Sequence, residues 1–319
     1  MVISGQTAYV TGFFSDSLSV VDLRGDAAVT SIRLAESGAP DQKREGERLF
    51  HDATISHQSW QSCASCHPDG RADGLNWDLL NDGIGNPNNT KSLLLAHRTP
   101  PAMSTGARGS AEKAVRSGLR NILFALRPEA EASTIDAYLK GLRPVPSPYL
   151  VREGAGSSND GRAFGPGTGA SRTARRPGGQ PVGTDDRMGG DAQALRSSGL
   201  LRPGTGRGPF RGDLSLEAQR GKMIFEDPKV GCATCHSAPL FTDLKAHAVG
   251  TANRQDRAGQ RFDTPTLVEC WRTAPYLHDG SAATVRDILT TSNPKDLHGK
   301  TSDLTARQLD DLAAFVLSL

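Results

Sequence analysis

The sequence predicts a mainly α fold of two tandem helical domains, preceded by a short N-terminal β segment and divided by a long disordered linker. Three observations carry this reading. Cys63-Ala64-Ser65-Cys66-His67 recurs as Cys232-Ala233-Thr234-Cys235-His236. Thr90, Leu93, Arg98, Thr99, Pro101 and Gly106 recur, 174 positions later, as Thr264, Leu267, Arg272, Thr273, Pro275 and Gly280. Between the copies, residues 152–213 hold 16 of the chain's 35 glycines and ten arginines, with Phe164 and Phe210 as the sole aromatics. A segment that poor in apolar surface does not offset its ordering entropy, so it reads as a flexible tether. The boundaries are then 1–38 (β segment), 39–150 (first domain), 151–213 (linker) and 214–319 (second domain).

At the N-terminus, Ala8–Thr11, Ser17–Asp22 and Ala28–Leu34 are short β-rich runs separated by turn residues such as Ser15-Asp16 and Gly25-Asp26. They resemble one blade of a YVTN-type β-propeller, in which Tyr9-Val10-Thr11 and Ser17–Asp22 match the repeat. One blade does not bury its own faces, so the resemblance implies a parent chain that begins further upstream. The alternative is a hairpin packed on the next domain.

Each domain has a helical stretch before its cysteines, Glu45–Phe50 and Leu216–Phe225, and an amphipathic helix at its end. Pro128 and Gly141 bracket the first closing helix, the glycine being expected at positive φ. In the second, Thr305 and Gln308 have capping-box spacing, and Leu309, Leu312, Phe315 and Val316 form a core-facing stripe.

Aromatics make up 5% of the 319 residues, and mean hydropathy is −0.43, so a non-protein apolar group would help fill the cores. A net charge of +2 gives no reason to expect nucleic acid as a partner. No run of about 18 apolar residues spans a bilayer. Met1–Val10 has neither the basic nor the apolar region of a secretory signal.

In Cys-x-x-Cys-His the two thiols add across porphyrin vinyl groups, and the adjoining histidine binds the iron. The motif therefore predicts two covalently bound haem c groups, attached at Cys63, Cys66, Cys232 and Cys235, with His67 and His236 as proximal iron ligands. Half of a zinc site is the main rival. The two pairs are far apart, however, and each carries the same adjacent histidine, which a shared tetrahedral site does not require. A thioredoxin-like pair lacks its βαβ context. Cys270, among apolar neighbours, reads as a buried packing residue.

The sixth position on each iron separates electron carriage from peroxide chemistry. For the second haem the candidates are His298, in the loop before the last helix, then His278, Tyr276 and His247. For the first they are Met103 and His97, with an apolar packing role equally open to Met103.

With the repeated Cys-x-x-Cys-His, the stretches Cys232–Thr242-Asp243, Phe262–Leu267 and Thr273–Gly280 make residues 41–150 and 214–319 similar to the bacterial di-haem cytochrome c peroxidase family. That family includes the di-haem enzyme that matures a tryptophan-derived quinone cofactor. The resemblance implies two class I cytochrome c-like domains, a peroxide-reacting first haem and an electron-entry second haem. It also implies calcium between the domains, on Asn89, Thr273 and Pro275. As electron donor it implies a small redox protein of cytochrome c or cupredoxin type, and as location the periplasm or another exported setting, which a truncated N-terminus would reconcile with the missing signal. Some family positions are altered. The inter-haem tryptophan falls on Ser104, the peroxide-handling glutamine and glutamate on Ala114 and Phe124, and the second distal ligand on Ser292. Peroxide chemistry would need another acid–base group, with Glu112 and Glu129 as candidates. Two functions remain: a peroxidase-like oxidoreductase, or an electron-transfer protein with both irons six-coordinate.

Overall fold

The computed structural model describes residues 1–25, 28–34, 41–79, 85–151 and 212–319. The expected linker lies almost wholly outside them.

Strands β1 (Val2–Ser4), β2 (Thr7–Gly12), β3 (Ser17–Asp22) and β4 (Val29–Arg33) form one antiparallel meander in the order β1-β2-β3-β4. The sequence reading found three of these runs and missed β1, which is too short for its alternation to register. Every residue of β4 is exposed. The sheet touches the helical part through Arg44, whose guanidinium donates to the Phe13 carbonyl and pairs with Asp16, both at 2.7 Å.

The rest is helical, in two halves built alike. The first comprises α1 (Gln42–His51), α2 (Cys63–Cys66), the two-stranded ladder β5 (Asn76–Trp77) with β6 (Asn88–Asn89), α3 (Ala111–Asn121) and α4 (Glu129–Lys140). The second comprises α5 (Leu216–Glu226), α6 (Cys232–Cys235), the ladder β7 (Ala246–His247) with β8 (Phe262–Asp263), α7 (Val285–Leu289) and α8 (Ala306–Leu317). Helix starts follow side-chain chemistry. Asp41 accepts from the Arg44 amide, Ser215 from that of Ala218, and Thr305 forms the expected capping box with Gln308. Gly141 ends α4 as expected but with φ −79°, so a left-handed cap is not its reason.

In each half the opening and closing helices cross at a glycine. A Cβ on Gly46 would lie 2.0 Å from the Thr134 carbonyl oxygen, and one on Gly221 would lie 1.8 Å from that of Asp311. An aromatic pair flanks each crossing: Phe50 on Tyr138 at 5.2 Å, and Phe225 on Phe315 at 5.1 Å. Leu49, Ile135 and Leu139 complete the first core, and Leu309, Leu312 and Val316, the anticipated stripe, complete the second.

The halves are joined by buried polar contacts. Arg71 forms a two-pronged pair with Glu269 at 2.9 and 3.0 Å, their side chains 7% and 1% exposed. Glu269 also accepts from the Val145 amide, and Arg71 donates to the carbonyls of Asp69 and Arg143, so both charges are fully satisfied. A pseudo-twofold contact repeats nearby: the Asn89 amide donates to the His278 carbonyl (2.7 Å), and the Asp263 amide to that of Ser104 (2.9 Å).

Candidate functional site

Each Cys-x-x-Cys is a single helical turn, and its histidine amide donates back to the first cysteine's carbonyl, at 3.0 Å in the first half and 2.9 Å in the second. This puts both sulfurs and the imidazole on one wall of a cavity. His67 Nδ1 donates to the Arg71 carbonyl at 3.0 Å, and His236 Nδ1 to that of Phe241 at 2.9 Å. A carbonyl accepts only, so the proton is fixed on Nδ1 and Nε2 is left as a metal donor, the usual device for orienting a ligating imidazole. Burial holds both histidines toward the neutral form that ligation needs.

Burial also pushes the Cys63 thiol up to about 12 and that of Cys232 to about 11. Reactive thiolates are shifted the other way, so neither pair is set up as a free redox dithiol. Cys270 donates to the Val316 carbonyl inside the second core and has the packing role expected of it.

Both cavities are enclosed by the elements just described. The first is lined by Cys63, Cys66 and His67, by Trp77, His97 and Met103, and by an apolar face of α3 that includes Ala114, Val115 and Leu119. The second is lined by Cys232, Cys235, His236, His247, Tyr276, His278 and His298. Asn89, Thr90, Lys91, Ser92, Ser104 and Thr266 line both and so form the wall between them. Among the described residues that wall contains no aromatic side chain, and Ser104 is part of it. It does contain a charge, Lys91, paired with the buried Asp263.

His298 faces His236 across the second cavity, ring centroids 6.3 Å apart. A metal–imidazole bond of about 2 Å on each side, with each ring centre about 1 Å behind its donor nitrogen, calls for about 6 Å. The loop that presents His298 is held by buried Asn293. Its side chain accepts from the His298 amide at 2.9 Å and donates to the Gly299 carbonyl at 2.8 Å and to Thr301 Oγ1 at 3.0 Å.

The other candidates are engaged elsewhere. Tyr276 donates to the Cys270 carbonyl, His278 Nε2 is 2.9 Å from Asp256 Oδ2, and His247 Nε2 is 2.8 Å from Asp243 Oδ2. Cys235, Asp243 and His247 come together closely enough to hold a metal ion. Cys235 is a haem-attachment cysteine by its motif, however, and the first half repeats the arrangement as Trp77 Nε1 donating to Asp73.

In the first cavity Met103 is on the wall with φ 74°, and Leu277 at the matching repeat position has φ 69°. Ala114 lines the cavity, whereas Phe124 is turned outward and is 62% exposed. Glu112 is paired with Lys140, which holds its carboxyl at about 2, and Glu129 is paired with Arg116 at the surface. Neither lines the cavity. Ser292 is likewise absent from the lining of the second.

Of the residues implied for calcium, Asn89 and Pro275 meet: the Asn89 side-chain amide is 2.9 Å from the Pro275 carbonyl. Thr273 lines the second cavity with them. Sequence reasoning missed the glycine crossings, Lys91 and Asn293. Only the glycines left a signal, since Gly46 and Gly221 precede Phe50 and Phe225 by the same four residues.

The sequence model of the family described as di-haem cytochrome c peroxidase matches residues 41–143. Hydrazine synthase subunit gamma of Kuenenia stuttgartiensis is 29% identical, covering 86% of this chain and 77% of that protein. A solved structure of that organism's hydrazine synthase superposes with a TM-score of 0.63 at 24% identity, over 89% of each chain. The methylamine utilization protein MauG of Methylorubrum extorquens is 25% identical, covering 88% of this chain and 78% of that protein. A variant of the diheme peroxidase BthA from Burkholderia thailandensis shares the fold with a TM-score of 0.53 at 16% identity, over 98% and 94% of the two chains.

Proposed function

We propose that this relative of the di-haem cytochrome c peroxidases and MauG proteins passes electrons from the His236 haem to the His67 haem, for use on hydrogen peroxide or a related substrate. Two haem c groups go with the family, and the residues present fit them: paired thiols, an oriented imidazole and a largely apolar cavity occur twice. When bound, the haems supply one-electron redox chemistry at each iron. The protein's part is to hold each group, set its ligands and control access. We assign two cytochrome c-like domains, 39–150 and 214–319, to the two halves, and read the β meander as a propeller-like blade.

The observation that carries the proposal is the inequality of the cavities. His236 and His298 face each other across the second cavity and would both hold the haem iron there, which suits an electron-entry site. In the first cavity the wall offers Met103 and an apolar helix face, which leaves room for a small ligand. Calcium, on neutral oxygens of Asn89, Thr273 and Pro275, would brace the wall between the haems. Asn89 and Pro275 being in contact supports it. The electron donor would be a small cytochrome c or cupredoxin-like protein, and the setting periplasmic. Among the described residues no helix is long and apolar enough to cross a membrane.

A second reading is an electron-transfer protein without peroxide chemistry, and the place of Met103 on the cavity wall favours it: a thioether bound to the first iron would close that site. Electron paramagnetic resonance of oxidised and half-reduced protein decides. A high-spin first haem that reacts with peroxide supports the enzyme; two low-spin haems in both states support the carrier.

A further inference from the structure

Reduction of hydrogen peroxide, H₂O₂ + 2 e⁻ + 2 H⁺ → 2 H₂O, needs a group that moves a proton between the two oxygens. In the first cavity the family's positions for that task hold Ala114 and the outward-turned Phe124, and Glu112 and Glu129 are paired elsewhere. Among the described residues, six other titratable side chains line this cavity. Cys63, Cys66 and His67 serve haem attachment and ligation, Lys91 is paired with Asp263, and Asp78 is at the exposed rim. His97 remains.

His97 is on a short turn (Ala96–Arg98), and its side chain is 3% exposed. Nε2 is 2.9 Å from Asp136 Oδ1 on α4, and Arg116 of α3 binds the other carboxylate oxygen. Burial works against the Asp136 charge, but the bonds from His97 and Arg116 outweigh it and hold the carboxyl below its usual range. Beside an ionised Asp136 a neutral His97 carries its proton on Nε2 and its lone pair on Nδ1. That Nδ1 is buried and has no hydrogen-bond partner among the described residues. The second half has Trp271 at the matching position, with its Nε1 also buried and unpartnered. An indole N–H donates only, so at this repeat position the first half alone can accept and return a proton.

We propose that His97, positioned by Asp136, is the acid–base residue of the first haem site. Its Nδ1 takes the proton from the near oxygen of hydrogen peroxide and delivers it to the far oxygen as the O–O bond breaks. The two electrons come from the haems and their donor protein, and both protons that turn the remaining oxygen into the second water come from solvent. This rests on the peroxidase reading of the first cavity.

The test compares full-length protein carrying both haems with His97→Phe and the size-matched His97→Gln. The C–O stretch of carbon monoxide bound to the reduced first haem is recorded by infrared spectroscopy, beside peroxide turnover and the first haem's potential. The expected result is a shifted C–O band in both variants and a loss of about 10²–10⁴-fold in peroxide turnover, with the second haem's spectrum and the first haem's potential unchanged. Asp136→Asn, which frees the tautomer, should shift the same band less. An unchanged band together with a moved potential would overturn the proposal and make His97, like Trp271, a donor to the haem's own carboxylates. Failure of the wild type to bind carbon monoxide in any redox state would overturn the peroxidase reading and the proposal together.

Discussion

The imidazoles of His236 and His298 stand 6.3 Å apart and 36° from coplanar across the second cavity, each presented by its own network of backbone hydrogen bonds. His298→Ala should convert the second haem from low-spin to high-spin while leaving the first unchanged, as read by electron paramagnetic resonance. His298→Met should keep it low-spin and raise its potential, since a thioether ligand does so in cytochromes. A low-spin signal untouched by the alanine change would assign the sixth position elsewhere.

Arg71 and Glu269 form a buried ion pair between the halves, so removing one partner leaves the other buried without its main counter-charge. Arg71→Met or Glu269→Gln should each destabilise the protein by about 3–5 kcal/mol. The double replacement Arg71→Met with Glu269→Met should cost less than the sum of the single changes. Denaturant unfolding followed in the haem absorption band measures both, and additive losses would mean the pair is not coupled.

Gly46 and Gly221 let backbones touch where opening and closing helices cross. Gly221→Ala should cost about 1–3 kcal/mol, toward the upper end because the obstructing atom is a carbonyl oxygen of α8 rather than a side chain that can move. Thermal unfolding compares it with Gly259→Ala, where nothing lies within 4 Å but φ is +71°. That control carries backbone strain without the overlap, so equal losses would remove the case for helix contact.

Arg220 grips Asp311 with both prongs, at 2.6 and 2.7 Å, and these bonds hold the Asp311 carboxyl below its usual range. A carboxyl lowered on folding contributes stability that is present above its unfolded value near pH 4. It is lost as pH falls through the folded value. Asp311→Asn should therefore flatten the fall in stability below about pH 4, seen as a smaller drop in Tm between pH 5 and pH 3. An identical drop in the variant would show that other carboxyls govern acid unfolding.

Much of this was legible in the chain itself. The two Cys-x-x-Cys-His motifs, the recurring Thr-to-Gly run and the stripe Leu309, Leu312, Phe315, Val316 each encode a local rule, and the structure follows them. His298 was separable from His278, Tyr276 and His247 only in three dimensions, because what distinguishes it is that its ring faces His236 while the other three spend their polar atoms on Asp256, the Cys270 carbonyl and Asp243. Strand β1, the φ of Gly141 and the outward turn of Phe124 were misread or missed for a similar reason: packing and chain direction, rather than residue type, fix them.

The sequence determined where the two Cys-x-x-Cys-His motifs stand and that each sets two thiols beside a histidine, since a fixed local spacing needs no tertiary context. The tertiary structure decided how the sites differ. It put His298 opposite His236, and left the first cavity with Met103, an apolar helix face and the buried His97. Such distances arise only when loops and helices from separate parts of the chain close around the same space, and no local pattern records that closure.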